Sequence, residues 1–352
     1  MTRVKAEDLE AVSSYLKSQY GYDPGAYENY ANNYTNKNIK ALLRLDWNIS
    51  DKHKLTLRYN QMTGTNDQGT NNNSGPNPRS SANRISSESI AFENANYSFK
   101  NTVRSFTAEL NSNFSSRLSN QFLATYSRIQ DTRETPGDIF PFVDIWEGGK
   151  NYMSFGTELF SYNNDVVNNN FTFTDNLTYI IDRHTLTAGL SFQTMSYANS
   201  YMREGTSYYR YNSVASFLSG GAPSVFAITY PFDGSDGYAK VKFGLAGAYV
   251  QDKIAVNERL NVTVGLRADL PIYLDNPPSN PVVDTLSLLD KKGNPTHFTT
   301  ASWPDSKPLF SPRVGVNFDV LGNRTLQLRG GTGIFTGNIP FVWLTNMPTN
   351  AG

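Results

Sequence analysis

Three histidines, His53, His184 and His297, are the only imidazoles in the chain, and there is no cysteine. Proton transfer, thiolate attack and metal activation draw most often on these two residue types, set beside acids. His53 and His184 fall in tight polar turns on separate hairpins, where turn hydrogen bonding accounts for them. The acids of DGSDG (233–237) are spaced closely enough to suggest a Ca2+ loop but lack the full ligand series. A solvated turn is the plainer reading, and no metal is expected. GGTGIF (330–335) lacks the Lys-Ser/Thr ending of a phosphate loop and lies in a strand pattern. No Ser/His/Asp arrangement stands out. The chain therefore reads as no enzyme, with no cofactor.

Two other sets of side chains suit binding rather than bond breaking. Phe140, Phe142, Trp146 and Tyr152 lie in DIFPFVDIWEGGKNYMSFG (138–156), and Tyr201, Tyr208, Tyr209 and Tyr211 in SYANSYMREGTSYYRYNS (196–213). Aromatic loops on a rigid scaffold suit recognition of carbohydrate, peptide or protein. The competing account is that they pack the loops together into an ordered cap. The second set is charged and sits in mid-strand: Arg44, Asp46, Arg58, Glu109, Arg267, Asp269, Arg313, Asp319 and Arg329. Such a set can line a water-filled interior, with ordinary solvation and cross-strand ion pairing as the simplest account of any one member.

The elements that position these residues are hairpins. In LAGAYVQDKIAVNERLNVTVGLRADL (245–270), Leu260, Val262, Val264, Leu266 and Ala268 alternate with Asn261, Thr263, Gly265, Arg267 and Asp269. Period two means a strand with one apolar and one polar face. The run fits a strand of roughly 9–11 residues tilted across hydrocarbon better than a globular strand of about 5–6. Four more hairpins follow the same rule: 39–49 with 54–62, 103–114 with 120–130, 170–181 with 184–195, and 312–320 with 325–335. Short turns alternate with long connections at 63–102, 131–168, 196–241 and 271–310. That asymmetry is expected of an outer-membrane barrel with tight periplasmic turns and long extracellular loops. Trp47, Tyr59, Phe114, Phe122, Tyr179, Phe192 and Phe318 are read as interfacial aromatics.

Two stretches resist the scheme. Residues 86–99 are expected to be an ordered extension within a loop. In 243–256 either phase brings a polar or charged residue to lipid, so a β-bulge near Gln251–Lys253 is expected. Residues 5–20 suggest a short helix with Leu9, Val12, Leu16 and Tyr20 on one face and Gly21 at its end. The domain reading is then 1–38 as a loop region with that helix, 39–336 as the barrel segment, and 337–352 as the start of a further extracellular loop.

The net charge is zero, so no nucleic-acid footprint is expected. The aromatic fraction of 13% with mean hydropathy −0.47 fits aromatic-banded strands diluted by polar loops. The motifs also carry a likeness. YVQD, a strand, a turn and LNVTVGLRAD resemble the barrel of TonB-dependent outer-membrane receptors. SPRVGVNFDVLGNRTLQLRGGTGIF (311–335) resembles the next hairpin of that family, and NFTFTDNLTYIIDRHTLTAGLSF (170–192) the preceding one. The likeness is to the Oar-like branch and covers most of 39–336. It implies an all-β partial antiparallel transmembrane barrel, about ten strands of a 22-stranded whole. It also implies a Gram-negative outer membrane, a plug domain in the same full-length chain, TonB contacts through segments absent here, and an unknown extracellular ligand taken up by energised import.

The start, MTRVKAEDLEAV, has no secretory signal pattern, so an internal piece of a longer product, without its plug, is expected. Such a piece would leave two sheet edges open in hydrocarbon and would not be stable alone. Two other readings stay open: a passive porin or surface adhesion protein, and a soluble all-β binding module. The soluble module requires the Leu/Val faces buried and the Arg/Asp faces outward.

Overall fold

In a computed structural model of the chain, ten long strands form one antiparallel sheet in sequential order. The structure describes residues 2–72, 75–76, 82–231, 234–337 and 340–350. The strands are β1 (Asn36–Ser50), β2 (His53–Gln68), β3 (Tyr97–Asn113), β4 (Leu118–Glu134) and β5 (Asp165–Ile181). They continue as β6 (His184–Ser200), β7 (Tyr238–Ala255), β8 (Leu260–Tyr273), β9 (Leu309–Asp319) and β10 (Gln327–Gly333). β1 and β10 are the edges and do not pair with each other. All five expected hairpins are present, and most strands run several residues further into the long connections than the alternation alone marks. The tight turns follow local rules: Asp182 in the two-residue Asp182-Arg183 turn has φ 49°, as a primed hairpin turn requires.

Register decides which side chains share a face. Arg44 stands opposite Arg58, and Thr56 opposite Glu109. Gly247 stands opposite Asp269, and Tyr249 opposite Arg267. These belong to the polar face. Leu43, Leu45, Val264 and Leu266 belong to the other face and are 69%, 58%, 48% and 46% exposed, whereas Asp269 is 3% exposed. The sheet thus leaves its apolar side exposed and gathers its charges on the opposite face, where Asp269 is buried, the reverse of what a soluble module needs.

The expected bulge in β7 is absent. Pairing with β8 runs unbroken from Phe243 opposite Tyr273 to Ala255 opposite Asn261, and pairing with β6 from Tyr238 opposite Ser200 to Ile254 opposite His184. The even residues face outward throughout, Asp252 included. Its position near the turn removes the difficulty, because His184 Nδ1 lies 2.6 Å from its carboxylate there. A charge near the interface costs far less than one at mid-depth. A second outward carboxylate, Asp175 on β5, accepts a 2.7 Å hydrogen bond from Asn120 Nδ2.

Two inward glycines permit close side-chain packing. A Cβ at Gly189 would strike the Tyr249 ring, and one at Gly247 would strike Arg267 and Asp269. Only a residue without a Cβ lets these groups lie flat on the sheet.

The dry core lies outside the sheet. A five-stranded sheet is assembled from loop segments in the order Val225–Ala227, Tyr208–Tyr211, Phe142–Glu147, Lys150–Phe155 and Ile90–Ala91. Residues 86–99 therefore divide between this cap, through Ile90–Ala91, and the start of β3. Helix α1 (Ala6–Tyr20) buries Leu9, Val12 and Leu16 against Val143, Ile145, Phe155 and Phe217. Gly21, with φ 66°, ends the helix in the left-handed conformation. Tyr20, expected on the buried face, is exposed. Residues Phe341–Asn350 form a further helix.

Candidate functional site: a polar sheet face and an aromatic cap

The polar face is built from local pairs. In β1, Arg44 Nε donates to Asp46 at 2.7 Å, and Thr56 Oγ1 on β2 donates to the same carboxylate at 2.8 Å. Arg58 pairs with Glu109, which also accepts from Asn111 at 3.0 Å and Gln121 at 3.1 Å. Arg267 Nε donates to Asp269 at 2.8 Å, its guanidinium reaches Ser191 at 2.6 Å, and it lies 5.1 Å from the Tyr249 ring centre. Residues two apart on a strand share a face, so Arg-x-Asp makes an ion pair within one strand. Arg313 shares the face and lines a cavity with Tyr249, Gln251 and Arg267. Arg329, at the open edge, donates to Gln327 at 2.7 Å. Asp319 holds the turn instead, accepting the backbone N–H of Gly322 at 3.0 Å and Arg324 at 2.9 Å. Eight of the nine expected charges therefore share the polar face of the sheet, and Asp319 lies at its turn end.

The loop aromatics converge on the cap, and most are packed inside it. Phe142 and Tyr208 are fully buried and stack at 6.4 Å. Phe140 stacks on Tyr22 at 4.2 Å. Tyr152 is buried, its hydroxyl donating to Asp8 at 2.7 Å and accepting from Lys5 N–H at 2.9 Å. Tyr211 meets Phe217 edge-on at 5.2 Å, and Tyr209 packs against Phe226 at 5.1 Å. Trp146 is half-buried beneath the guanidinium of Arg210, 4.3 Å from its ring centre. Only Tyr201 of the eight is largely exposed. Beyond it, Phe226, Ile228 and Tyr230 present their side chains to solvent. The alternation in VFAITY (225–230) was the available signal for those three.

At the centre of the cap Arg84 and Asp144 form a fully buried bidentate pair at 2.9 Å. Ser154 and Tyr208 also donate to Asp144, at 2.7 and 2.8 Å. Burial alone would raise the Asp144 carboxyl; Arg84 and these donors outweigh it and hold it below its ordinary value. Burial, with Asp144 alongside, pushes the Tyr208 hydroxyl well up. Arg84 donates to Asn71 O at 2.6 Å and Arg210 to Pro76 O at 2.7 Å, which ties the β2–β3 connection to the cap. Cap and sheet meet at Arg133, which lies over the Tyr97 and Phe99 rings and reaches buried Glu158 at 3.6 Å. Burial raises the Glu158 carboxyl despite that contact.

The histidines stay apart. His53 Nδ1 lies 2.8 Å from Ser112 Oγ, and His297 Nδ1 lies 3.1 Å from Leu286 O. No cluster of three or more His, Asp or Glu able to hold a metal occurs among the described residues. Asp233 of DGSDG lies outside them, while Asp236 pairs with Lys240 at 2.6 Å.

A sheet with apolar residues outside, charges inside and long connections gathered at one end is a lipid-facing wall. The profile of the outer membrane beta barrel domain family matches residues 2–352. The chain belongs to that family. Its place is the outer membrane of a Gram-negative cell. Among solved structures, the outer membrane transporter YddB from Escherichia coli is similar in fold, with TM-score 0.54 and 14% identity over 85% of this chain and 32% of that one. The ferric-catecholate import receptor Fiu from E. coli K12, in its open form, gives 0.48 and 12%, covering 85% and 47%. The copper transporter OprC gives 0.48 and 13%, covering 85% and 37%. The chain spans between 32% and 47% of the length of these three transporters. No curated protein matches the sequence closely enough to count as a relative.

Proposed function

We propose that this barrel segment belongs to a TonB-dependent receptor, akin to the Oar-like branch, that captures a ligand at its extracellular cap for energised import. The observation that carries the reading is the pairing of a charge-lined inner wall with a compact cap on one end of the strands. A passive pore needs the wall but gains nothing from a dry, ion-paired cap at its mouth. In the complete receptor a plug domain of the same chain would sit against Arg44, Arg58, Arg267 and their partners. TonB contacts would lie on segments outside these residues. The exposed rim of Tyr201, Phe226, Ile228 and Tyr230 is the proposed first contact for ligand, and the buried aromatics hold that rim in place.

Planar-bilayer conductance of the full-length parent protein in potassium chloride tests the class. A plugged receptor is closed until denaturant loosens the plug, and then opens. A protein that conducts steadily on insertion is a porin, and the import reading fails.

A further inference from the structure

The outward face of β3 and β4 holds a charged feature that import does not use. Arg104 stands directly opposite Arg128, in the same outward phase as Phe106 and Tyr126. Side chains so placed are about 4.5–5.5 Å apart at Cβ, and like charges there repel. The chain makes the same juxtaposition on the inner face, Arg44 opposite Arg58, but supplies Asp46 to one and Glu109 to the other. Among the described residues neither Arg104 nor Arg128 has an ion-pair partner, and the outward Glu134 further along β4 is engaged by Lys100 at 2.8 Å.

The neighbours add donors. Gln61 lies beside Arg104 on β2, and its carbonyl oxygen is taken by the Tyr59 hydroxyl at 2.8 Å. Asn169 lies beside Arg128 on β5, and its oxygen accepts from Tyr126 at 3.1 Å and from Arg128 at 3.3 Å. With both oxygens occupied, the amide nitrogens complete a row of N–H groups: Gln61, Arg104, Arg128, Asn169. One step toward the apolar band runs a parallel row of exposed rings: Tyr59, Phe106, Tyr126 and Phe171. Aromatic rings collect at headgroup level. Guanidinium pairs suit the oxygens of a phosphate.

We propose that this row is a binding site for the phosphate of an outer-leaflet lipid headgroup, whose acyl chains continue down over the rings. The proposal rests on the membrane-facing orientation of the sheet, not on import. Free phosphate shares the headgroup chemistry but gains nothing from the rings. The test is native mass spectrometry of the full-length protein in mild detergent, with lipid A, lipid A stripped of its phosphates, and inorganic phosphate as separate probes. The wild type should retain lipid A and lose at least about tenfold in affinity for the dephosphorylated form, the size expected for charge-assisted hydrogen bonds. The double variant Arg104→Gln, Arg128→Gln, checked for heat-modifiable folding, should lose lipid A to the same degree. Equal retention of both lipid forms overturns the site, as does undiminished binding by a folded variant. Displacement of lipid A by millimolar inorganic phosphate overturns the lipid assignment. The wild-type comparison stands even if the variant fails to fold. Conductance plays no part in the readout, so failure here leaves the import reading intact.

Discussion

The sheet and the cap obey opposite rules with the same residues. In the sheet Leu43 and Leu266 face outward and Arg267 and Asp269 are sheltered; in the cap Phe142, Ile145, Met153 and Phe155 are completely buried. Alternation fixes only which residues share a face. The medium on each side decides which face is hidden. Hydrocarbon around the strands accepts the apolar side, while water around the cap rejects it. Even the buried charges differ. Arg267–Asp269 lies on the polar face of an open sheet, whereas Arg84–Asp144 is enclosed among rings.

The contrast can be broken most severely in the cap. Asp144→Ala removes the carboxylate from the buried Arg84 guanidinium, which costs about 3–5 kcal/mol. Hydrogen exchange should then show faster opening of 84–91 and 208–211 with the sheet amides still protected. Loss of protection in the sheet as well would show one cooperative unit where two are expected. Next comes the outward face: Leu266→Arg should cost roughly 2–4 kcal/mol of folding free energy in bilayers, against about 0–1 for the inward Thr263→Arg. Equal costs would mean the faces have been assigned wrongly.

A smaller effect is expected at Gly189, where Val would force the Tyr249 ring off the sheet for about 1–3 kcal/mol. The thermal midpoint of the folded barrel reports it, and an unchanged midpoint would show that Tyr249 has room to move. The smallest effect separates the two buried carboxyls by pH. Glu158 has a raised carboxyl pKa, so the folded cap holds its proton more tightly than the unfolded chain. Cap stability should therefore fall as pH rises from the ordinary carboxylate range through the raised value, and Glu158→Gln should flatten that slope. Asp144 acts with opposite sign: its contribution is complete above the ordinary carboxylate range and is lost as pH falls through its depressed value. Exchange rates of cap amides measured across both windows distinguish the two.

Much of the sheet was legible because strand pairing is local in sequence. Turns such as Asp182-Arg183 set the register, and each strand meets the next one along the chain. A single strand considered alone calls for the β7 bulge that the unbroken pairing lacks. Asp252 looked intolerable alone, and its partner His184 comes from another hairpin. The outward aromatic row Phe106, Tyr126 and Phe171 was missed for the same reason, since its members align only once three strands are in register. The loop aromatics were recognised as a group, but not the division between buried Tyr208 and exposed Tyr201.

By itself the sequence determined the ten strands, their two-sidedness and the asymmetry of their connections, because alternation and tight turns are properties of short stretches. Only the tertiary structure decided that pieces of three connections and an N-terminal helix fold together into one cap, and that Arg84 meets Asp144 there. Those partners are separated by dozens of residues. Nothing within either stretch encodes the other; the burial of both together selects the pair.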